Sequence, residues 1–220
     1  MMRSSIFATV LLVAACSSSP PVPDWKMNAQ SSLERATNAY MAGKDLVEAT
    51  EFARARSDIA ATGKIDLVLR AELIRCAART AALVFEECAG LAALRADATA
   101  ADVAYADYLA GRARPADAPL LPEPQRAVLA AASDQAAAAA VAAMKDPLSQ
   151  LVAAGALFQA NRATPELVTL AITTASDQGW KRPLLAWLTV QALRAEQAGD
   201  GEEAARIRRR IALVEGPPAR

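Results

Sequence analysis

The chain contains no histidine. That absence removes Ser–His–Asp triads, histidine-ligated zinc and any imidazole proton shuttle working near neutral pH. Net charge is absent too, because 24 Lys and Arg balance 24 Asp and Glu. Nucleic-acid binding wants a clustered basic face, and a neutral chain gives no electrostatic case for it. Aromatic residues are only 5% of the sequence, while hydrophobic residues are 54% and much of that is alanine. Alanine is the best helix former, whereas strands draw on β-branched and aromatic residues. No glycine-rich loop leads into a Lys-Ser or Lys-Thr pair, so the phosphate-cradling motif is missing. Carboxylate or lysine chemistry survives in principle, but no motif announces it. We expect no catalytic residues, no cofactor and no metal.

Long apolar runs are also lacking. Ile6–Ala15 is free of charge, yet it is half of the ~20 residues a membrane-spanning helix needs. It follows Arg3 and ends in small residues, the layout of a cleaved export signal. Val13-Ala14-Ala15-Cys16 then resembles the lipobox of bacterial lipoproteins. The resemblance implies cleavage before Cys16, a diacylglyceryl thioether on its sulfur and acylation of the new amino terminus. Several acyl chains give stable anchoring where one gives only marginal binding. Ser17-Ser18-Ser19-Pro20-Pro21-Val22-Pro23 reads as a spacer. Ser17 after the cysteine resembles the family's outer-membrane pattern, which implies a body facing the periplasm.

The remainder reads as all-α. Gly43, Gly63, Gly111 and Gly199 each follow an apolar-periodic run, where a left-handed residue ends a helix. Asp146-Pro147 and Thr164-Pro165 place a capping side chain before a proline suited to the first helical turn. Ser31–Glu34, Asp45–Glu48 and Asp200–Glu203 have capping-box spacing. Together these marks predict helices near 26–42, 46–61, 65–87, 100–110, 124–144, 147–160, 166–178, 183–197 and 202–214. Four prolines between Pro115 and Pro124 forbid a regular helix. The predicted layout is a signal at 1–15, lipidated cysteine and spacer at 16–24, and an amino-terminal helical lobe at 25–111. A proline-rich linker or loop at 112–124, a carboxy-terminal lobe at 125–216 and a tail at 217–220 follow.

Tyr40-Met41-Ala42-Gly43-Lys44-Asp45 and Gln197-Ala198-Gly199-Asp200-Gly201 form similar turns. With Leu188, Ala192, Ala195, Ala204 and Ile211, the last unit resembles the tetratricopeptide repeat. Units near 28–62 and 147–181 resemble it less closely, and the match is lost over 64–111 and 124–144. The resemblance implies antiparallel helical hairpins in a TPR-like α-solenoid; an irregular helical bundle is the alternative.

Cys76 and Cys88 are the only other cysteines. An oxidising location favours pairing them. Twelve residues on an unbroken helix would hold them about 18 Å apart, beyond the ~7 Å that a disulfide allows between α-carbons. We expect a bond made by a turn before Cys88, with two buried thiols as the alternative. Glu86 and Glu87 diverge on a helix and read as a solvated face. Arg206, Arg208, Arg209 and Arg210 could hold anionic lipid or glycan, but cations near a helix carboxyl end are favoured structurally. Trp180 and Trp187 flank Pro183 as a ligand platform or, preferably, as packing. Trp25 is expected to dock where the folded body begins.

These readings point to a membrane-anchored, non-enzymatic scaffold that holds an envelope protein or peptide through a helical-repeat surface. The competing expectation is a cell-envelope enzyme or enzyme regulator, for instance one acting on peptidoglycan through acidic residues in a cleft.

Overall fold

A computed structural model describes residues 22–216. Within them lie eleven α-helices and two short 3-10 segments, and no strand is found among the described residues. The helices are α1 (Asp24–Met41), α2 (Asp45–Ala60), α3 (Ile65–Ala81), α4 (Ala89–Ala93), α5 (Ala100–Leu109), α6 (Glu123–Ala130), α7 (Asp134–Ala142), α8 (Pro147–Gln159), α9 (Pro165–Asp177), α10 (Lys181–Gln197) and α11 (Gly201–Glu215). None of them is long and apolar enough to cross a membrane.

Short turns fold α1 on α2, α8 on α9 and α10 on α11 as antiparallel hairpins. The turn residues Gly43 and Gly199 have φ of 79° and 76°, a conformation that disfavours any residue with a Cβ. Asp146, Thr164 and Asp200 accept from the backbone N–H of Ser149, Leu167 and Glu203 at 2.7, 3.2 and 3.0 Å. Pro147 and Pro165 stand in the first turns of their helices, as expected.

Two other expected capping boxes are not caps. The first helix begins at Asp24, so Ser31 stands exposed inside it rather than at its start, and the neighbouring Ser32 is buried, its Oγ accepting from Arg35 at 2.8 Å. Glu48 in the first turn of α2 is buried and turned toward α3. Local spacing suggested a cap in both cases; in the first the helix has already begun at Asp24, and in the second burial against α3 takes Glu48 instead.

Two expected helices also end early. The one predicted over 65–87 stops at Ala81, because Leu83 takes the left-handed conformation at φ 56°. Its amide donates to the Thr80 carbonyl and that of Val84 to the Arg79 carbonyl, both at 3.0 Å. The indole Nε1 of Trp187 donates to the freed Ala81 carbonyl at 3.1 Å. The stretch predicted as one helix over 124–144 divides at Ala131, whose ψ is 128°. Ser133 caps α7 by accepting from Ala136 N–H at 3.1 Å. Arg162 holds the break from outside, donating to Ala131 O at 3.2 Å and Asp134 Oδ1 at 2.8 Å.

The largest core cluster runs from Tyr40 and Met41 through Ala77, Leu109, Leu121, Val128, Leu151 and Trp187 to Ile207. It draws on residues from both sides of the proline-rich segment at 112–124. The segment itself is a 3-10 turn at Pro115–Leu120 with Ala118 and Leu121 buried in that cluster. Helix α8 sits at the centre, with Leu151–Leu157 buried on every side. It packs against α3, α5, α6, α7 and α9. A solenoid unit meets only its neighbours in sequence; the contact of α8 with α3 closes this chain into a bundle instead.

Candidate functional site

A cleft of about 370 Å³ lies between α3, the loop after it, α4 and α5. Ligand sites usually begin near 300 Å³. Its floor is a half-buried side of α3, which supplies Arg75, Cys76 and Arg79 at helical spacing. One wall is the loop bearing Phe85, Glu86 and Glu87; the other carries Arg95, Asp107 and Arg112.

A buried ion network supports the floor from behind. Glu48 of α2 is 5% exposed and accepts from Arg75 Nε at 2.7 Å and Nη2 at 3.2 Å. Arg79 lies 3.7 Å from the same carboxylate and 3.8 Å from Glu86. The Tyr40 ring is flanked by two guanidinium groups, Arg182 at 4.4 Å and Arg79 at 5.0 Å from its centroid. Burial pushes the Tyr40 phenol up, against the opposing pull of Arg182 and Arg79. Arg182 also donates to the Tyr40 carbonyl at 2.8 Å and to Asp45, which ties α10 to the first turn. Glu72 is held by Arg56 at 3.0 Å and Asp107 by Arg112 at 2.9 Å. Every buried side-chain polar atom among the described residues has a partner.

The cysteines meet at the cleft. Ending α3 at Ala81 lets the chain turn back, so Cys76 and Cys88 are bonded with α-carbons 5.8 Å apart. The bond fixes the loop that carries Phe85, Glu86 and Glu87. The chain-entropy model gives about 3 kcal/mol for closing a loop of this length. Thermal unfolding with and without a reductant should show that loss as a lower melting temperature. The unreduced protein should also weigh two hydrogens less than the dithiol, and an unchanged mass on reduction would refute the bond.

The other candidates are dispersed. Cys16 lies outside the described residues. Glu86 and Glu87 are exposed on the loop, not on a helix, and only Glu86 approaches a cation. Trp187 is fully buried and edge-on to Phe158 at 5.8 Å, while Trp180 precedes α10 half-buried. They form packing at the junction, not a shared platform. Arg206 is held by Glu203 at 2.6 Å, Arg208 by Glu196, and Arg210 lies 3.4 Å from Ser176 Oγ. Trp25 is half-buried, with the Lys64 ammonium 6.0 Å from its ring. No group of potential metal ligands is found among the described residues.

The reading of the sequence missed Arg75 and Arg79 and took Glu48 for part of a helix cap. The available signal was a pair of arginines four apart on a helix whose opposite side is apolar. Their acid lies 27 residues from Arg75 in sequence, and only the fold brings it there. No family model matches the chain, no curated protein matches it, and no solved structure matches its fold.

Proposed function

We propose that this chain is a lipid-anchored protein of the bacterial envelope that acts as a non-enzymatic scaffold, holding a protein or peptide partner in the α3–α5 cleft. The observation that carries the reading is the cleft. Its volume suits a few side chains of a partner, and its Phe85 edge and Arg79 and Arg95 donors suit a peptide's mixed chemistry. Glu72 and Asp107 are held in ion pairs, as the frame of a binding surface. The anchor is supported by Val13-Ala14-Ala15-Cys16 and by the short spacer behind it. A facing toward the periplasm from the outer membrane is supported by Ser17, which resembles the outer-membrane pattern of bacterial lipoproteins.

One cellular experiment addresses both parts. A photo-crosslinking residue at Arg95, on the rim, should capture a discrete partner that the same residue at Leu213, outside the cleft, does not. Equal capture at both positions, or none at Arg95, would refute the cleft assignment. Cys16→Ala should leave unprocessed precursor or release a soluble periplasmic form. Unchanged membrane attachment in that variant would refute the anchor.

A further inference from the structure

We propose that the end of the body where α1 and α3 begin lies against the phospholipid surface, with Trp25 at the headgroup boundary; this rests on the lipidation of Cys16 proposed above. Three apolar side chains of the segments that meet there are exposed: Val22 at 51% and Met27 at 49%, beside Trp25 in sequence, and Ile65 at 44%, next to Lys64. Trp25 is half-buried, with the Lys64 ammonium 6.0 Å from its ring, which joins the starts of α1 and α3, and with Lys26 beside it in sequence. Tryptophan is enriched at the membrane–water boundary, where its ring is apolar and its N–H is wet. Lysine can lay its stem along apolar surface while its ammonium reaches the phosphates.

The chain itself identifies the occupant. Eight residue steps separate Cys16 from Asp24, at most about 28 Å when fully extended. A short tether holds the patch at an effective concentration on the order of millimolar. A patch too small to bind a bilayer unaided is then sufficient to orient a body already anchored to one. The orientation also leaves the opposite end of the first hairpin away from the lipid. Helix α1 is about 27 Å long at 1.5 Å per residue. Its far end is where Arg182 holds the Tyr40 carbonyl, two residues after Trp180.

The three tryptophans therefore report orientation. Trp25 marks the near end, Trp187 is enclosed in the core, and Trp180 marks the far end. The test uses the full lipidated protein in phosphatidylethanolamine–phosphatidylglycerol vesicles, with and without bromine near the headgroup end of the acyl chains. Bromine should remove up to roughly a third of the emission, the share of one boundary tryptophan in three. Trp25→Phe should abolish that loss. Quenching that persists in Trp25→Phe would place the Trp180 end on the lipid and overturn the proposal. Vesicle flotation without any quenching would overturn the orientation but keep the anchor; a concentration-dependent dimer would then assign the patch to a second copy. Failure to float, with no acyl mass on the Cys16 peptide, would overturn the anchor and this inference with it.

Discussion

Gly155→Ala should lower stability by about 2 kcal/mol net, although alanine is the better helix former. A Cβ built at Gly155 would stand 2.1 Å from the Thr80 carbonyl oxygen and 2.8 Å from its carbon. Real Cβ contacts are not this short, and the obstruction is backbone, so no side chain can swing away. Helices α3 and α8 would have to separate. Both are lined with buried alanine and leucine along that contact, including Ala77, Ala81, Leu151 and Ala154. Helix propensity alone would favour alanine by about 1 kcal/mol, so the two effects have opposite signs and the measurement separates them. At about 2–4 °C per kcal/mol for a chain of this size, the melting temperature should fall by several degrees. A rise would show that α3 and α8 do not approach as closely as described. Because α3 also forms the cleft floor, the variant should weaken capture from Arg95 as well.

That close contact shows where the sequence stops being informative. The helices were legible because caps and periodicity are local: Asp146, Thr164 and Asp200 bind amides three residues away. The errors fell where the deciding partner is distant. The alanine run over 136–140 fits a continuing helix, and the break before it depends on Ser133 together with Arg162 from another turn. The end of α3 has no glycine to announce it, since Leu83 adopts the left-handed position with Trp187 bonded nearby. Within the proline-rich segment, Leu121 is fully buried while its neighbour Leu120 stays exposed, a difference no local pattern announces. The cleft was not legible at all. Its floor, loop and far wall come from three stretches of sequence, and the acid beneath Arg75 comes from a fourth.

The other large effect is expected at Trp187, whose truncation to alanine should cost about 3–5 kcal/mol. This side chain is fully buried in the main core. Two contributions can be separated by using phenylalanine as well. Trp187→Phe keeps much of the ring volume but removes the donor to the Ala81 carbonyl, a buried bond at 3.1 Å. Leaving that carbonyl without its partner should cost about 1–3 kcal/mol, so phenylalanine should fall between the parent and alanine in chemical denaturation. Equal stability of the phenylalanine variant and the parent would show that the bond does not hold the end of α3. The consequences should reach the cleft through stacked rings. Trp187 meets Phe158 edge-on at 5.8 Å, and Phe158 stacks on Phe85 at 6.2 Å with 10° between the planes. Phe85 is on the loop fixed at one end by Ala81 and at the other by Cys88. Removing the indole therefore loosens one attachment of the loop while the disulfide retains the second. Amide exchange over residues 83–88 should accelerate in Trp187→Ala by more than the global loss of stability accounts for. Adding a reductant should accelerate it further, because the two attachments are independent. If exchange there rises only in proportion to global unfolding, the rings are ordinary core packing and do not position the cleft wall.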